Sequence, residues 1–354
     1  MTLQPHPDPR WDLTSLDYEL PPELIAQTPA EPRHAARMLV LDRLDGHIDH
    51  SLVADLPELL RAGDLLVVNE SRVIPARLTG RTETGGRGEA LLLRAVGGGR
   101  WEALVKPGRQ LWPGRALDLG DGLHMTVLDR LESGARLVQL SGPGDAEAAV
   151  LARGALPLPP YIKGYTGDPE RYQTVYARTP GSAAAPTAGL HLSEELLARI
   201  AARGVSRAAV TLHVGLDTFR PVKAVNLVQH DIHSEYCEVS AETAGAINAA
   251  RERGGRVVAV GTTTVRTLET ACVDGSPREW RGNTALFIRP GYRFRCVDAM
   301  LTNFHLPRST LLALVRAFAG DDSVAAAYRE AIKERYRFFS FGDAMFIHTP
   351  RSPS

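Results

Sequence analysis

Apolar and polar positions follow two rhythms along this chain, and the change between them divides it. From Ala76 to Leu140 they alternate in short segments: Ala76 to Arg81, Gly88 to Val96, Arg100 to Lys106, Arg115 to Leu119, Leu123 to Leu128 and Ala135 to Leu140. Glycine-rich turns such as Gly97-Gly98-Gly99 separate them, with no helical period between. Side chains of a strand alternate between its two faces, so six short strands at this spacing predict a small antiparallel barrel.

After Pro157 the rhythm becomes that of alternating helices and strands. The pattern predicts a helix from Ser193 to near Gly204, a strand Ala208 to Val214, a helix Ala241 to Arg253 and a strand Arg256 to Val260. It continues with a helix Val265 to Cys272, a strand Ala285 to Ile288, helices near Ser309 to Ala319 and Ser323 to Tyr336, and a strand Ala344 to His348. Such alternation predicts an α/β fold, a mostly parallel or mixed sheet covered by helices. A strand signal at Asp64 to Val68 precedes the barrel segments, so the six-stranded antiparallel β-barrel reads as an insertion. The expected division is residues 1–70 with 156–354 as the α/β domain and 71–155 as the inserted barrel domain.

Length and composition fit that reading without narrowing it. The 354 residues are 44% hydrophobic and 23% charged, enough for two domains with substantial cores. No apolar run is long enough for a membrane span and the first residues carry no signal-peptide core, so a cytoplasmic location without membrane partners is expected. Cys237, Cys272 and Cys296 are far apart with no C-x-x-C pair, which suggests buried apolar side chains rather than a disulfide framework or a thiolate zinc site.

Charge changes the picture through its distribution. Lys plus Arg balances Asp plus Glu at 41 each, yet Ser71 to Arg115 holds nine basic residues against three acidic ones. Arg289, Arg293, Arg295 and Arg308 against Asp298 form a second basic cluster. Two basic regions on a neutral chain suit local phosphate contacts, although solvated strand faces would look the same.

Candidate chemistry gathers where open sheets bind ligands, at strand ends. Pro180 to His191 is mostly Gly, Ala, Ser and Pro and runs into a helix, so it reads as a loop shaped for close backbone approach or for tight packing. Gly261-Thr262-Thr263-Thr264-Val265-Arg266 sets a glycine and three hydroxyls at a helix start, suited to a carboxylate or ribose and equally to an ordinary capped turn. His213 precedes Gly215 and Asp217, and a lone histidine there serves acid-base or structural ends. His230-Asp231-Ile232-His233-Ser234-Glu235 lacks a second spaced ligand pair, so no metal is expected. Thr302-Asn303-Phe304-His305-Leu306-Pro307-Arg308 combines amide, ring, imidazole and guanidinium, as base or phosphate recognition would need.

Taken in order, these segments resemble one family. Leu16-Asp17-Tyr18-Glu19-Leu20-Pro21, Val67-Val68-Asn69-Glu70-Ser71-Arg72-Val73-Ile74-Pro75-Ala76-Arg77-Leu78, Leu104-Val105-Lys106-Pro107-Gly108, Leu156-Pro157-Leu158-Pro159-Pro160-Tyr161-Ile162, the motifs above and Arg337-Phe338-Phe339-Ser340-Phe341-Gly342-Asp343 carry the likeness. Together they resemble the S-adenosylmethionine:tRNA ribosyltransferase-isomerase (QueA) family of queuosine biosynthesis over nearly the whole chain. One departure is Asp217, where the resemblance leads one to expect Gly.

The resemblance implies an active site between the α/β domain and the barrel. It implies transfer of the ribosyl part of S-adenosylmethionine, a co-substrate, onto 7-aminomethyl-7-deazaguanine in tRNA. The products would be epoxyqueuosine, adenine and methionine. The expected tRNAs are those for Asp, Asn, His and Tyr, with a monomer as the working expectation. On this reading His213 or His305 is the base or the acid, with Glu235 and Asp217 orienting or sharing that role. Gly181, Ser182, Pro186, Thr187, Gly189, His191, Gly261, Thr262, Thr263 and Arg266 would shape the S-adenosylmethionine pocket, Arg266 meeting the methionine carboxylate. Asn303 and Phe304, with Glu235, would read or stack the base, while Arg72, Lys106, Arg109 and Arg308 would hold phosphates. Rival readings are a methyltransferase, for which no glycine-rich fingerprint follows a first strand, and a noncatalytic RNA-binding module.

Overall fold

A computed structural model describes residues 11–132, 134–215, 227, 232 and 234–349. Asp217 and most of the segment from His230 to His233 lie outside the described residues. In chain order the strands are β1 (Arg37–Asp42), β2 (Ile48–Leu52), β3 (Leu65–Asn69), β4 (Ser71–Val73), β5 (Arg77–Thr82), β6 (Arg87–Gly97), β7 (Arg100–Lys106), β8 (Ala116–Gly120), β9 (Leu123–Arg130) and β10 (Arg136–Ser141). After them come β11 (Thr179–Ser182), β12 (Ser206–Leu212), β13 (Glu235–Val239), β14 (Val257–Val260), β15 (Cys272–Val273), β16 (Ser276–Pro277), β17 (Trp280–Thr284), β18 (Ala299–Asn303) and β19 (Ala344–His348). The α-helices are α1 (Leu56–Leu59), α2 (Ala146–Arg153), α3 (Glu194–Ala202), α4 (Ala241–Glu252), α5 (Thr262–Ala271), α6 (Thr310–Ala319) and α7 (Asp321–Lys333).

Strands β5 to β10 close into a six-stranded antiparallel barrel in the order β10-β7-β6-β5-β8-β9. Leu78, Leu92, Ala103, Leu117, Val127 and Val138 fill it, each an inward position of the alternation, and Val150 of α2 joins them. The other large sheet has nine strands among the described residues, ordered β17-β13-β12-β3-β14-β18-β19-β1-β2. Its centre, β12-β3-β14-β18, is parallel, and β19 runs antiparallel to β18. The sheet is therefore mixed, with helices on both faces.

The central strand explains why it folds this way. All five residues of β3, Leu-Leu-Val-Val-Asn, are buried, the continuous apolar run of a strand covered on both sides. Leu65 and Val67 pack with Ile247 of α4, Leu268 of α5 and Leu312 of α6, whereas Leu66 and Val68 pack on the other face with Leu196 and Ile200 of α3. Each such side chain contributes about 1.5–3 kcal/mol through burial. Ser193, Ser240 and Ser309 cap α3, α4 and α6 through their hydroxyls, while α5 begins at Gly261 (φ +89°) without a side-chain cap.

One expected strand moves. The segment predicted at Ala285 to Ile288 is irregular, and the strand lies just before it at Trp280–Thr284, paired with β13. Its polar residues conceal it because β17 is an edge strand with only Thr284 of its five residues buried.

The parallel strands β3, β12, β14 and β18 end together at Asn69, Leu212, Val260 and Asn303. The chain leaves this edge after β3 through β4 to the barrel, then returns through β11, which pairs in parallel with β4. The barrel thus stands over the edge where the sheet presents its strand ends.

Candidate active site

Two adjoining cavities occupy that junction. The larger, about 680 Å³, is walled on one side by Leu93, Trp101 and Leu104 of the barrel and on the other by Gly181, His213, Glu235 and Arg266. The smaller, about 50 Å³, lies between Pro186, Thr187, Asn303, His305 and Phe339. Thr262, Thr263 and Leu311 border both.

His213 follows β12 and lines the large cavity. Its ring stacks on Tyr236 at 5.8 Å between centroids and 16° between planes, and its Nδ1 has no hydrogen-bond partner among the described residues. Desolvation lowers its pKa below the usual 6.5, against a smaller upward pull from Glu238. That Nδ1 is itself buried, so a neutral imidazole here would accept a proton from the cavity through Nε2, which lies beside cavity-lining Gly181.

Opposite it, Glu235 opens β13 and is held from two sides. Its carboxylate accepts the N–H of Gly215 at 2.9 Å and forms a buried ion pair with Arg266 of α5. Arg266 also donates to the carbonyls of Leu286 and Thr284, both at 3.0 Å. The guanidinium expected to meet a ligand carboxylate is thus engaged by the protein on all three nitrogens, and its visible work is to fix Glu235 and the 284–286 segment.

His305 sits apart from His213. It is 9% exposed, its ring pairs with the Thr302 hydroxyl at 2.9 Å, and burial lowers its pKa to about 3. Nearby, Asn303 Oδ1 accepts from the Thr187 hydroxyl at 3.1 Å, and its amide nitrogen meets His191 Nε2 at 3.0 Å and the Phe339 carbonyl at 3.1 Å. His191 is buried with its pKa lowered to about 4, first by desolvation and then by Arg337 and Arg33. These residues bind one another across the small cavity's wall.

Several expected ligand contacts serve packing. Phe304 is 0% exposed within a cluster of Tyr328, Tyr336 and Phe338, so it presents no ring face to a base. Gly189 packs under Tyr176, whose hydroxyl would stand 2.0 Å from an added Cβ, and neither it nor His191 lines either of these two cavities. Ser182 donates to the Ala184 carbonyl and accepts the Val214 N–H, tying the glycine-rich loop to the end of β12. Arg72 and Arg308 are already paired, with Glu170 and Asp17. Lys106 and Arg109 are exposed and form no ion pair among the described residues.

Two residues that the sequence reading passed over stand out. Asn69 ties the ends of β3 and β12 to the start of α5. Trp112 is 52% exposed on the loop after Lys106 and Arg109. Among the described residues no group of three His, Cys, Asp or Glu could hold a metal ion, and no helix is long and apolar enough to cross a membrane.

Comparison with known proteins shows the family. The model of a family described as queuosine biosynthesis protein matches residues 13–347. An S-adenosylmethionine:tRNA ribosyltransferase-isomerase of Symbiobacterium thermophilum is 57% identical, covering 95% of this chain and 99% of its own. One from Anaeromyxobacter is 55% identical, covering 95% and 98%. A crystal structure of S-adenosylmethionine tRNA ribosyltransferase from Thermotoga maritima shares 42% identity, covers 94% of this chain and 99% of its own, and superposes with a TM-score of 0.55.

Proposed function

The chain belongs to the queuosine biosynthesis protein family, and from that premise we propose that it transfers and isomerises the ribosyl group of S-adenosylmethionine onto a modified tRNA base. The acceptor is 7-aminomethyl-7-deazaguanine at the wobble position of the Asp, Asn, His and Tyr tRNAs. Epoxyqueuosine forms while adenine and methionine leave. The observation that carries this reading is the large cavity itself, which sets the His213 imidazole and a fixed carboxylate between a barrel and a row of strand ends. Its volume of about 680 Å³ lies in the range that accommodates a cofactor-sized ligand.

The chemistry assigns work to these residues. The sulfonium of S-adenosylmethionine acidifies the neighbouring ribose 5′ carbon, and His213, neutral at pH 7, takes that proton. Adenine then leaves and the aminomethyl nitrogen attacks the sugar. The Glu235 carboxylate, immobilised by Arg266 and Gly215, forms with Arg266 a fixed dipole at the cavity wall against which developing charge would be oriented. His305 and Asn303 keep the small cavity in shape.

The RNA would approach over the barrel. Lys106 and Arg109 offer unneutralised charge to phosphates, and Trp112 offers an exposed ring to an unstacked base. A flipped base is the only form whose amine can reach a cavity. The division into residues 1–70 with 156–354 and an inserted 71–155 is supported by Val150 of α2, which packs into the barrel core. S-adenosylmethionine carbon-labelled in the ribose tests the reaction class: the label should enter tRNA, and transfer of a methyl label instead would identify a methyltransferase.

A further inference from the structure

Asn69 makes four hydrogen bonds from a fully buried side chain. Its Oδ1 accepts the N–H groups of Ser71 and Leu212, both at 3.1 Å, and its Nδ2 donates to the Leu212 carbonyl at 3.0 Å. Backbone N–H groups only donate and carbonyls only accept, so the amide has one permitted orientation. Its remaining N–H therefore points at Thr263 Oγ1, 3.3 Å away, and the threonine oxygen receives that bond.

This leaves the Thr263 proton to be placed. Thr264, Thr267 and Thr270 of the same helix give theirs to the carbonyls of Val260, Thr263 and Arg266, four residues back. Thr263 makes no such bond among the described residues. Its side chain borders both cavities.

We propose that the Thr263 hydroxyl is a dedicated hydrogen-bond donor to an acceptor atom of a substrate lying across the two cavities, and that Asn69 is the positioning residue that fixes this polarity. The identity of the ligand rests on the S-adenosylmethionine reading. In that molecule the acceptor belongs either to the carboxylate or to the nucleoside, through a ribose oxygen or an adenine nitrogen. Asn69→Asp would replace the donor with an acceptor, so the Thr263 proton would turn back towards residue 69 and away from the cavity.

Calorimetric titration of S-adenosylmethionine into the full chain and its variants tests this. Thr263→Val should raise Kd by about threefold to tenfold, the worth of one neutral hydrogen bond, with a modest fall in melting temperature because the buried Asn69 N–H loses its acceptor, and Thr263→Ser should restore both. Asn69→Asp should weaken binding in the Thr263 background but add nothing to Thr263→Val, a coupling that a merely structural asparagine would not show. Titration with methylthioadenosine, which lacks the amino-acid portion, locates the acceptor: an effect of Thr263→Val retained there places it on the nucleoside, and an effect lost there places it on the carboxylate. Equal affinities of wild type and Thr263→Val would overturn the proposal. A wild type that binds no S-adenosylmethionine would overturn the functional reading instead.

Discussion

The imidazole of His213 fills the space that a side chain at Gly181 would need. A Cβ built on Gly181 would lie 2.8 Å from both Cε1 and Nε2 of the ring, at a backbone φ of +136° that other residues rarely adopt. The glycine-rich loop is thus the floor on which the candidate base rests. Gly181→Ala is expected to push the ring aside and lower kcat on the order of 10²-fold, as misplacement of a reacting group by about 1 Å does. Steady-state kinetics beside a melting curve checks this, and a folded variant with normal kcat would show that the ring position does not matter.

The two histidines separate by what replaces them. His213→Ala should lower the single-turnover rate about 10²- to 10⁴-fold with little change in melting temperature, since the ring borders a cavity and only its removal as a proton acceptor counts. His305→Ala should do the reverse, because that ring is buried against Thr302. An inactive, stable His305→Ala would transfer the acid-base role to it.

Arg266 and Glu235 are expected to depend on each other. Arg266→Ala leaves the Glu235 carboxylate buried beside only its remaining donors, which should cost about 3–5 kcal/mol in denaturant unfolding. Glu235→Gln keeps shape and hydrogen-bonding capacity and should cost less. Equal effects would mean that the pair contributes no net charge interaction.

How far the sequence could be read varies with the range of the contacts. The barrel strands are legible because period-two alternation and glycine turns are local, and the observed β5 to β10 fall within two residues of their expected ends. The helices of the α/β part are legible through caps such as Ser193 and Ser309. The edge strand β17 was displaced because its polar residues lack a buried face to betray it. Phe304 reads as a base-stacking ring beside Asn303 and His305, yet the residues that bury it, Tyr328, Tyr336 and Phe338, lie more than twenty positions on. Arg266 reads as a ligand clamp for the same reason, its carboxylate partner being 31 residues away. Asn69 carries no local sign of its role, which exists only once β12 and α5 are beside it.

Acid should weaken this fold through its buried histidines. His305 and His191 titrate at about 3 and about 4 when folded, against 6.5 ordinarily, because burial disfavours the imidazolium. Between those values and 6.5 the unfolded chain binds more protons than the folded one, so stability is full above pH 6.5 and is lost as pH falls below it. Melting temperatures should decline steadily from pH 7 to pH 4.5, and His305→Gln should flatten the slope. A profile level over that range would contradict the buried neutral state.

The account stands most directly on incubating the purified chain with S-adenosylmethionine and a tRNA that carries 7-aminomethyl-7-deazaguanine at the wobble position. Chromatography of the small molecules should show adenine and methionine released in equal amounts, and mass analysis of the nucleosides should show a ribosyl-derived gain on the modified base. S-adenosylmethionine left intact while the tRNA is bound would contradict it and leave a binding protein in place of an enzyme.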